Sequence, residues 1–541
     1  MTTRLFKIDR RKFLAGLGVG ATIPSFLASG SYSFAQTPRK GGTLKTVAWP
    51  ATTYLNSAIT TAGPEAFLSP KFYDGLIGYE FGLKPKPSLA ESWEISEDGK
   101  RVTFHLRPGV KWHDGEAFTS RDVAFTFMKV LKVVHGRGRT TFAGLTDVET
   151  PDDLTAVFVL EGPAPAMMKA LDARESPILP AHIYDNGADV KENPSNTAPI
   201  GTGAFILKSY ERGVSVVMDR NPDYWDKDLP LLDRIIVQYV SDPSTRVAML
   251  ESGEVDAVFL NLLPSLDTIR LGKMPEFEVD LRGFETSDSS QQMDFNLDNP
   301  ILANVLVRRA IAHALDAAWI TENVWHGFGK PGVSPLHHDQ VEFYKPEGLS
   351  SYPYNLAKAE ELLDEAGYKR GADNMRFKLM LDPSPWGTES ITASGYVREQ
   401  LKQIGIDCEV RTQDFAVFVK TVWTERKHDL CLYTASMGAD PVIGVQRFYW
   451  SKNFKLGVGF SNGSNYNNPE VDALLEAAQV ELDPKKRFDQ YYRFQQIIME
   501  ELPTLPVTTI SQANIVNRKV HDFTIDAVGT LGNMAHCWID A

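Results

Sequence analysis

The densest group of chemically active side chains lies in residues 106–127, LRPGVKWHDGEAFTSRDVAFTF. His113, Asp114 and Glu116 fall within four positions, and Arg121 and Asp122 follow closely. Imidazole and carboxylate groups at this spacing could bind a metal ion or exchange protons with a substrate. Whether they do so depends on the elements that position them.

Local patterns in this segment favour an architectural role. Asp114-Gly115 is a turn pair between the extended runs VTFHL and EAF, and Thr119 with Asp122 fits a helix capping box. The helix that follows carries an apolar face made of Val123, Phe127, Val130, Leu131 and Val134. We therefore predict turn and cap roles for the acids, with no catalytic residue and no metal ligand among them.

Convincing motifs for catalysis are missing from the rest of the chain. HExxH, GxxxxGK[ST] and CxxC do not occur after residue 35, and the glycine pattern GVGFSNG at 457–463, which contains a GxSxG match, follows no convincing strand; both points weaken a hydrolase or NTPase interpretation. His337 and His338, adjacent in SPLHHDQ, are expected to be exposed rather than metal-bound. Cys408, Cys431 and Cys537 are too scattered for a disulfide scaffold and are interpreted as core thiols. No metal and no cofactor are predicted.

Residues 1–35 are predicted to be an export signal. Arg10 and Arg11 precede a weakly apolar, glycine-rich run that ends at Ala35, where we expect cleavage. RRKFL resembles the twin-arginine motif, although Asp9 occupies the usual Ser/Thr position. A membrane anchor is the alternative, disfavoured by the glycines and by Pro24. The mature protein is thus expected in the periplasm, without membrane insertion.

Composition indicates a soluble globular protein of several lobes. The 541 residues are 43% hydrophobic and 23% charged, and chains of this length hold about three domains. Residues 1–35 carry five of the 56 Lys and Arg and one of the 69 Asp and Glu, which leaves a net charge of −17. So acidic a chain repels nucleic acid, and no nucleic-acid partner is expected.

Two strand–helix–strand patterns predict parallel sheets. Residues 235–240 form an apolar run, Pro243 begins a helix that reaches about Ser252, and a second strand covers 255–260. The pattern returns at 406–410, about 414–425 and 429–435. Further helices are predicted to begin after Asn299, Asn355 and Asp483.

Ligands of open α/β sheets bind just beyond the carboxyl ends of strands. The loops after residues 48, 260 and 435 are therefore candidate walls of a binding cleft. They contain aromatic and polar side chains suited to a small molecule, namely Trp49, Tyr54, Asn261, Met437 and Asp440.

The segment LAESWEISEDGKRVTFHLRPGVKWHDGEAFTSRDVAFTF (89–127) resembles the signature of the bacterial extracellular solute-binding proteins, family 5. This family includes the dipeptide, oligopeptide and nickel receptors of ABC importers. Similarity continues in GGTL (41), PIGTGAF (199), NPDYW (221), LESGEVDAV (250), VRRAIAHALD (307) and NYNNPEVDALLEAA (465). It covers essentially the whole mature chain.

The resemblance implies an α/β, two-lobed periplasmic-binding-protein fold of the type II, Venus-flytrap kind, with an extra domain inserted in the first lobe. Lobe I would comprise residues 41–78, 199–286 and 510–541, the inserted domain 79–198, and lobe II 287–509. The implied function is that of a monomeric, non-enzymatic receptor. It would capture peptides between the lobes and deliver them to ABC permease subunits and their ATPase.

The ionic anchors of the dipeptide receptors are missing. An ungapped alignment places Met437 at the aspartate that holds the peptide ammonium and Ser384 at the arginine that holds its carboxylate. Asp440 could replace the first contact or cap the Pro441 turn, and Trp386 could stack on a ligand or belong to the core. The alternatives are therefore a receptor for an oligosaccharide, opine or modified peptide and, in another class, a secreted hydrolase.

Overall fold

The structure, a computed structural model, describes residues 37–540, and the predicted export signal lies outside them. Its strands are β1 (Thr43–Ala48), β2 (Ile77–Glu80), β3 (Lys84–Pro87), β4 (Ala90–Ile95), β5 (Arg101–Leu106), β6 (Leu145–Asp152), β7 (Thr155–Leu160), β8 (Phe205–Glu211), β9 (Ser215–Arg220), β10 (Arg234–Tyr239), β11 (Ala257–Val258), β12 (Phe277–Asp280), β13 (Ser289–Phe295), β14 (Gly329–Pro331), β15 (Phe377–Pro383), β16 (Ile406–Val410), β17 (Leu430–Ser436), β18 (Thr504–Ile510), β19 (Asn514–Asn517), β20 (Val520–His521) and β21 (Trp538–Ile539).

The α-helices are α1 (Gly63–Phe72), α2 (Ser120–Phe125), α3 (Gly138–Thr141), α4 (Ala181–Tyr184), α5 (Pro243–Glu251), α6 (Ser265–Leu271), α7 (Pro300–Ala303), α8 (Val305–Ala314), α9 (Ala317–Asn323), α10 (Leu356–Glu365), α11 (Thr388–Gln403), α12 (Phe415–Val419), α13 (Pro441–Gly444), α14 (Gln446–Tyr449), α15 (Pro469–Val480) and α16 (Pro484–Glu501). Two π-helical turns, Thr126–Leu131 and Lys420–Thr424, continue α2 and α12. Short 3₁₀ turns cover Met167–Lys169, Val190–Glu192, Pro194–Asn196, Ser451–Asn453 and Gly529–Leu531.

A seven-stranded sheet with the order β12-β19-β11-β1-β10-β9-β8 forms the first lobe. The predicted β10–α5–β11 unit is confirmed, and β1 lies between its two strands, parallel to both. The Asp242 side chain begins α5 by accepting a hydrogen bond from Thr245 N at 2.7 Å, with Pro243 in the first turn.

A six-stranded sheet with the order β14-β18-β13-β17-β15-β16 forms the second lobe. The second predicted unit is also confirmed, with β15 inserted between β16 and β17 and parallel to both. The helix predicted after Asn299 differs, because it is broken into α7 and α8. Asn304 ends the first piece and caps the second through Leu306 N, at 3.0 Å.

A four-stranded antiparallel sheet, β4-β5-β7-β6, contains the start of the 106–127 segment. The Asp122 carboxylate accepts a hydrogen bond from Thr119 N at 2.8 Å, as the capping box requires. His113 lies between the backbones of Gly201 and Gly203, to which its ring nitrogens hydrogen-bond. These groups do not converge on a common point, and the predicted architectural role is confirmed.

One apolar core joins this small sheet to the first lobe, whereas the second lobe contains two further cores. All three cysteines are buried and unpaired, as predicted. Two segments cross between the large sheets: residues 281–288 connect β12 to β13, and residues 511–513 connect β18 to β19. The exact limits of the predicted domains remain a prediction.

Candidate ligand-binding cleft

The carboxyl-terminal ends of strands from both large sheets meet between the lobes. From the first sheet come the loops after β1 and β11, and from the second comes the loop after β15. Trp49, Asn261 and Trp386, which sequence analysis selected from three separate regions, line one small cavity between these loops. This region is the candidate cleft.

Trp386 of the second lobe packs directly against the first lobe. A Cβ placed on Gly63 would lie 2.8 Å from the Trp386 ring, so only glycine allows this approach without rearrangement. The adjoining apolar cavity, lined by Trp49, Phe67 and Phe259 among others, measures about 10 Å³, and the Asn261 cavity about 20 Å³. A single water needs roughly 10–15 Å³, so the lobes are closed at this point and must separate to admit a ligand.

Glu389 supplies a polar contact beside Trp386. Its carboxylate accepts hydrogen bonds from Ser265 N at 3.2 Å and from the Ser265 hydroxyl at 2.9 Å. Ser265 is the first residue of α6 in the first lobe, so a carboxylate of the second lobe satisfies a free backbone donor across the cleft. Burial lowers the pKa of nearby Arg246 to about 10, although the charges of Asp242 and Glu389 oppose this effect.

Asn261 joins the cleft to one of the crossing segments. Its backbone N–H donates to Ala513 O at 3.1 Å, and its side-chain oxygen accepts from Ala513 N at 2.6 Å. The residue has a positive φ of 55°, which asparagine tolerates better than most side chains. Asn261 therefore couples the loop after β11 to residues 511–513.

Asp440 and Met437 lie inside the second lobe. Arg487 donates to both Asp440 carboxylate oxygens, at 2.8 and 2.9 Å, and the side chain also caps α13 through Val442 N. The capping role is therefore the one observed, and the carboxylate already has its counter-charge. Met437 is 1% exposed and packs in a core of this lobe.

Tyr54 and Ser384 lie outside the two small cavities. Tyr54 is partly buried against the core of the first lobe and lines neither of the two small cavities. The Ser384 hydroxyl accepts a hydrogen bond from Trp386 N at 3.2 Å, so it positions the tryptophan backbone. The cleft thus brings together Trp49, Asn261 and Trp386 from the predicted set.

A buried arginine cluster at the end of β17 was not predicted from the sequence. Glu175 accepts hydrogen bonds from Arg137 and Arg174, and Arg174 also donates to Thr286 O at 2.8 Å. Arg447 donates to Ser436 O at 2.9 Å from the second lobe. These residues are far apart in sequence, and no local pattern signals their contact.

Burial and neighbouring charges shift the pKa values of this cluster. Burial opposes ionisation of Glu175, but Arg137 and Arg174 outweigh it and lower the Glu175 pKa to about 2. Burial, assisted by Arg137, lowers the pKa of Arg447 to about 9. Asp172 and Asp288 also lie close enough to Arg174 to raise its pKa, which burial lowers, and the Arg174 Nε has no hydrogen-bond partner among the described residues.

The prediction that the His337–His338 pair is exposed is wrong. His337 is fully buried and the His338 side chain is only 8% exposed. The ends of β14 and β18 cover the loop, and the two rings stack at 4.4 Å.

Comparison with known proteins identifies the family. The sequence model described as "Bacterial extracellular solute-binding proteins, family 5 Middle" matches residues 84–457, more than half of the chain. The chain belongs to this family. Its members are periplasmic or extracellular binding proteins, and the recognition made from residues 89–127 is confirmed.

Individual relatives agree with this membership. Di/tripeptide-binding protein 1 of Pseudomonas aeruginosa is 27% identical over 83% of this chain and 85% of its own. The oligopeptide-binding protein AppA of Bacillus subtilis, solved with a nonapeptide, is 25% identical with a TM-score of 0.82, over 93% of this chain and all of its own. AgaA of A. tumefaciens R10, solved with agropinic acid, is 26% identical with a TM-score of 0.78, over 92% and 99%. The predicted two-lobed α/β fold is thereby confirmed.

Across residues 37–540, every helix is too short or too polar to span a lipid bilayer.

Proposed function

We propose that this chain is the periplasmic receptor of an ABC importer that captures peptides between its two lobes. The observation that carries the proposal is the meeting of both sheets' ligand-side loops at Trp49 and Trp386, with Glu389 bonded across the gap. A ligand that touches both walls stabilises the closed form, and that form engages the permease and its ATPase. The relatives that bind peptides support this choice of ligand.

The arginine cluster is positioned to bind one end of the peptide, its C-terminal carboxylate. The ionic anchors of dipeptide receptors are replaced by Ser384 and Met437, so a carboxylate must find its counter-charge elsewhere. Arg174 and Arg447 supply positive charge beside Ser436, at the ligand-side end of β17. We therefore assign the C-terminal carboxylate of the peptide to this cluster.

A second candidate ligand is an opine. Agropinic acid is bound by the related AgaA, and Trp386 offers an aromatic face for a non-peptide ligand. The receptor role is the same in both cases. We further propose that the chain acts as a monomer, catalyses no turnover of its ligand, and reaches the periplasm by the twin-arginine route.

A thermal-shift and calorimetric panel tests the ligand class. The mature protein is mixed with di-, tri- and nonapeptides, each as free acid and as C-terminal amide, and with agropinic acid. Peptide acids should raise the melting temperature, because a ligand at 100 times its Kd adds about 2.7 kcal/mol of stability. The amides should bind at least tenfold more weakly.

Trp386→Ala should weaken binding of the best peptide by at least tenfold. Trp319→Ala is the matched control, since Trp319 is an exposed tryptophan of the same lobe that stacks on Tyr396. A shift produced by agropinic acid alone would replace the peptide assignment with the opine. Consumption of the ligand during the assay would refute the receptor role.

A further inference from the structure

A group of potential metal ligands lies beside the two crossing segments. One donor atom from each of His337, His338 and Asp339 falls within 4.8 Å of the others. The Asp288 carboxylate approaches the same point, 3.8 Å from His337 Nδ1. The orientation of each group determines whether these atoms present lone pairs or protons.

His338 presents a lone pair to Asp339. The Thr509 hydroxyl donates to Lys330 O at 3.2 Å, so its oxygen must accept the 2.8 Å hydrogen bond from His338 Nδ1. The ring proton is therefore on Nδ1, and Nε2 is unprotonated. Nε2 faces an Asp339 carboxylate oxygen at 3.4 Å, a pairing of two acceptors.

His337 has the opposite tautomer, with the lone pair on Nδ1. Its Nε2 lies 3.4 Å from Ile510 O, which can only accept, so the proton is on Nε2. Nδ1 then has the lone pair, which receives Asp339 N–H at 3.2 Å and faces carboxylate oxygens of Asp288 and Asp339 at 3.8 Å. An imidazole that donates one N–H to the protein and binds through the other nitrogen is typical of metal ligands. A metal ion at His337 Nδ1 would replace the Asp339 N–H as the partner of that lone pair.

Asp288 is the second indication of a bound cation. The residue is 9% exposed, and no donor within residues 37–540 hydrogen-bonds its carboxylate. Nearby Arg174 directs its terminal nitrogens to Glu175, Thr286 and Ser436 instead. The Asp288 side chain is 12% exposed, and the charge of Arg174 offsets part of the cost of its burial. A cation among these four side chains would reduce the remaining cost.

We propose that His337, His338, Asp339 and Asp288 bind a divalent transition-metal ion of the zinc type. Ligand atoms of tetrahedral zinc are about 3.3–3.6 Å apart, given bonds of about 2.0–2.2 Å. The His338–Asp339 separation of 3.4 Å and the His337–Asp339 and His337–Asp288 separations of 3.8 Å are within a few tenths of an ångström of this range, and the donor atoms of His337, His338 and Asp339 all lie within 4.8 Å of one another. Two carboxylates balance the ion's charge, and mixed imidazole and carboxylate ligands suit zinc.

The position of this site gives it a structural role. Asp288 ends the 281–288 crossing, and Thr509 and Ile510 immediately precede the 511–513 crossing. A bound ion would therefore connect the 337–339 loop directly to the end of the 281–288 crossing and, through the histidine hydrogen bonds to Thr509 and Ile510, to the end of β18 just before the 511–513 crossing. The site is separate from the Trp49–Trp386 contact and is independent of which solute the cleft captures.

Calorimetry with Zn²⁺ as the only added ligand tests the proposal. The mature protein, treated with chelator and exchanged into a non-coordinating buffer, should bind one equivalent. His338→Gln and Asp339→Asn, both at the outer side of the site, should each weaken binding at least tenfold, and Asp288→Asn should do the same. Co²⁺ bound in place of zinc should show visible absorption that His338→Gln alters.

His182→Gln is the matched control. His182 pairs with Asp114 at 2.8 Å on the surface, which provides a histidine and a carboxylate without further ligands. This variant should bind zinc as the wild type does. Absence of stoichiometric binding by the wild type, or unchanged affinity in both His338→Gln and Asp339→Asn, would overturn the proposal.

Discussion

Asp440 was predicted to line the binding site, but its side chain instead stabilises the fold of the second lobe. Its carboxylate is fully buried, and the paired Arg487 side chain is 7% exposed. Two hydrogen bonds join them over a separation of 47 residues. The pair fixes the loop after β17 to α16.

Asp440→Asn should destabilise the protein strongly. The substitution leaves the Arg487 guanidinium buried without a counter-charge, which costs about 3–5 kcal/mol in free energy of unfolding. Urea denaturation provides the measurement. Asp489→Asn, which removes the exposed Lys485–Asp489 pair, should cost less than about 1 kcal/mol. Equal losses in the two variants would contradict the structural role of Asp440.

His135 should make stability depend on pH. Burial, assisted by Arg137, lowers its pKa from 6.5 to about 3 in the folded state. His135 is therefore protonated below about pH 6.5 in the unfolded chain but only near pH 3 in the folded chain. The free energy of unfolding decreases as the pH falls from 6.5 towards 3. The loss approaches about 1.4 kcal/mol per pH unit.

His135→Asn isolates this effect. Asparagine can keep the acceptor for Gly138 N, which His135 Nδ1 provides at 2.9 Å, but it does not titrate. Over pH 6.5–4 the variant should lose less stability than the wild type, and above pH 7 the difference between the two should be constant. Parallel stability curves over the whole range would show that His135 does not titrate as stated.

Sequence analysis succeeded where a residue acts on its close neighbours. The capping of α2 by Thr119 and Asp122 depends on three positions, and local spacing predicts it. The burial of His337 depends instead on β18, more than 160 residues later in the chain, and the Asp440–Arg487 pair depends on α16. No short pattern contains such information, because tertiary packing alone decides these contacts.

At the scale of elements, the same limit applies to sheet order. Both β–α–β units were predicted from apolar runs and capping residues, yet β1 and β15 lie between the paired strands of each unit. The break between α7 and α8 was missed because Asn304 reads as one polar residue in a helical run. Only its side-chain bond to Leu306 N reveals a new helix start.

Glu389 at the start of α11 should control closure of the cleft. Glu389→Ala removes the acceptor for both Ser265 donors, and hydrogen bonds to a charged group contribute about 1.5–3 kcal/mol. Binding of the peptide that most stabilises the wild type should weaken by roughly tenfold or more, measured by calorimetry. Glu399→Ala, on the same helix but paired with Arg398, should bind that peptide normally. Equal affinities in the two variants would exclude Glu389 from closure.

At the scale of the whole molecule, two crossings of eight and three residues are the only covalent links found between the large sheets within residues 37–540. Rotation of the lobes must therefore be absorbed in residues 281–288 and 511–513, and Asn261 restrains the shorter segment. This arrangement explains how rigid sheets can enclose a ligand. The sequence indicated it only through resemblance to a family.

Measuring export tests the proposed periplasmic localisation of the protein. Replacing Arg10 and Arg11 together with lysine should leave the precursor in the cytoplasm, because twin-arginine recognition requires the arginine pair. Cell fractionation followed by immunoblotting gives the result. Arg4→Lys should be exported normally, and normal export of the double variant would exclude this route.

The three buried thiols bear on where folding takes place. Burial raises the pKa of Cys408 to about 12 and raises those of Cys431 and Cys537, so the reactive thiolate is suppressed at each. The native state needs no covalent cross-link, so folding in a reducing compartment is compatible with the export route proposed above. In an oxidising environment the three buried thiols are likewise not accessible for disulfide formation.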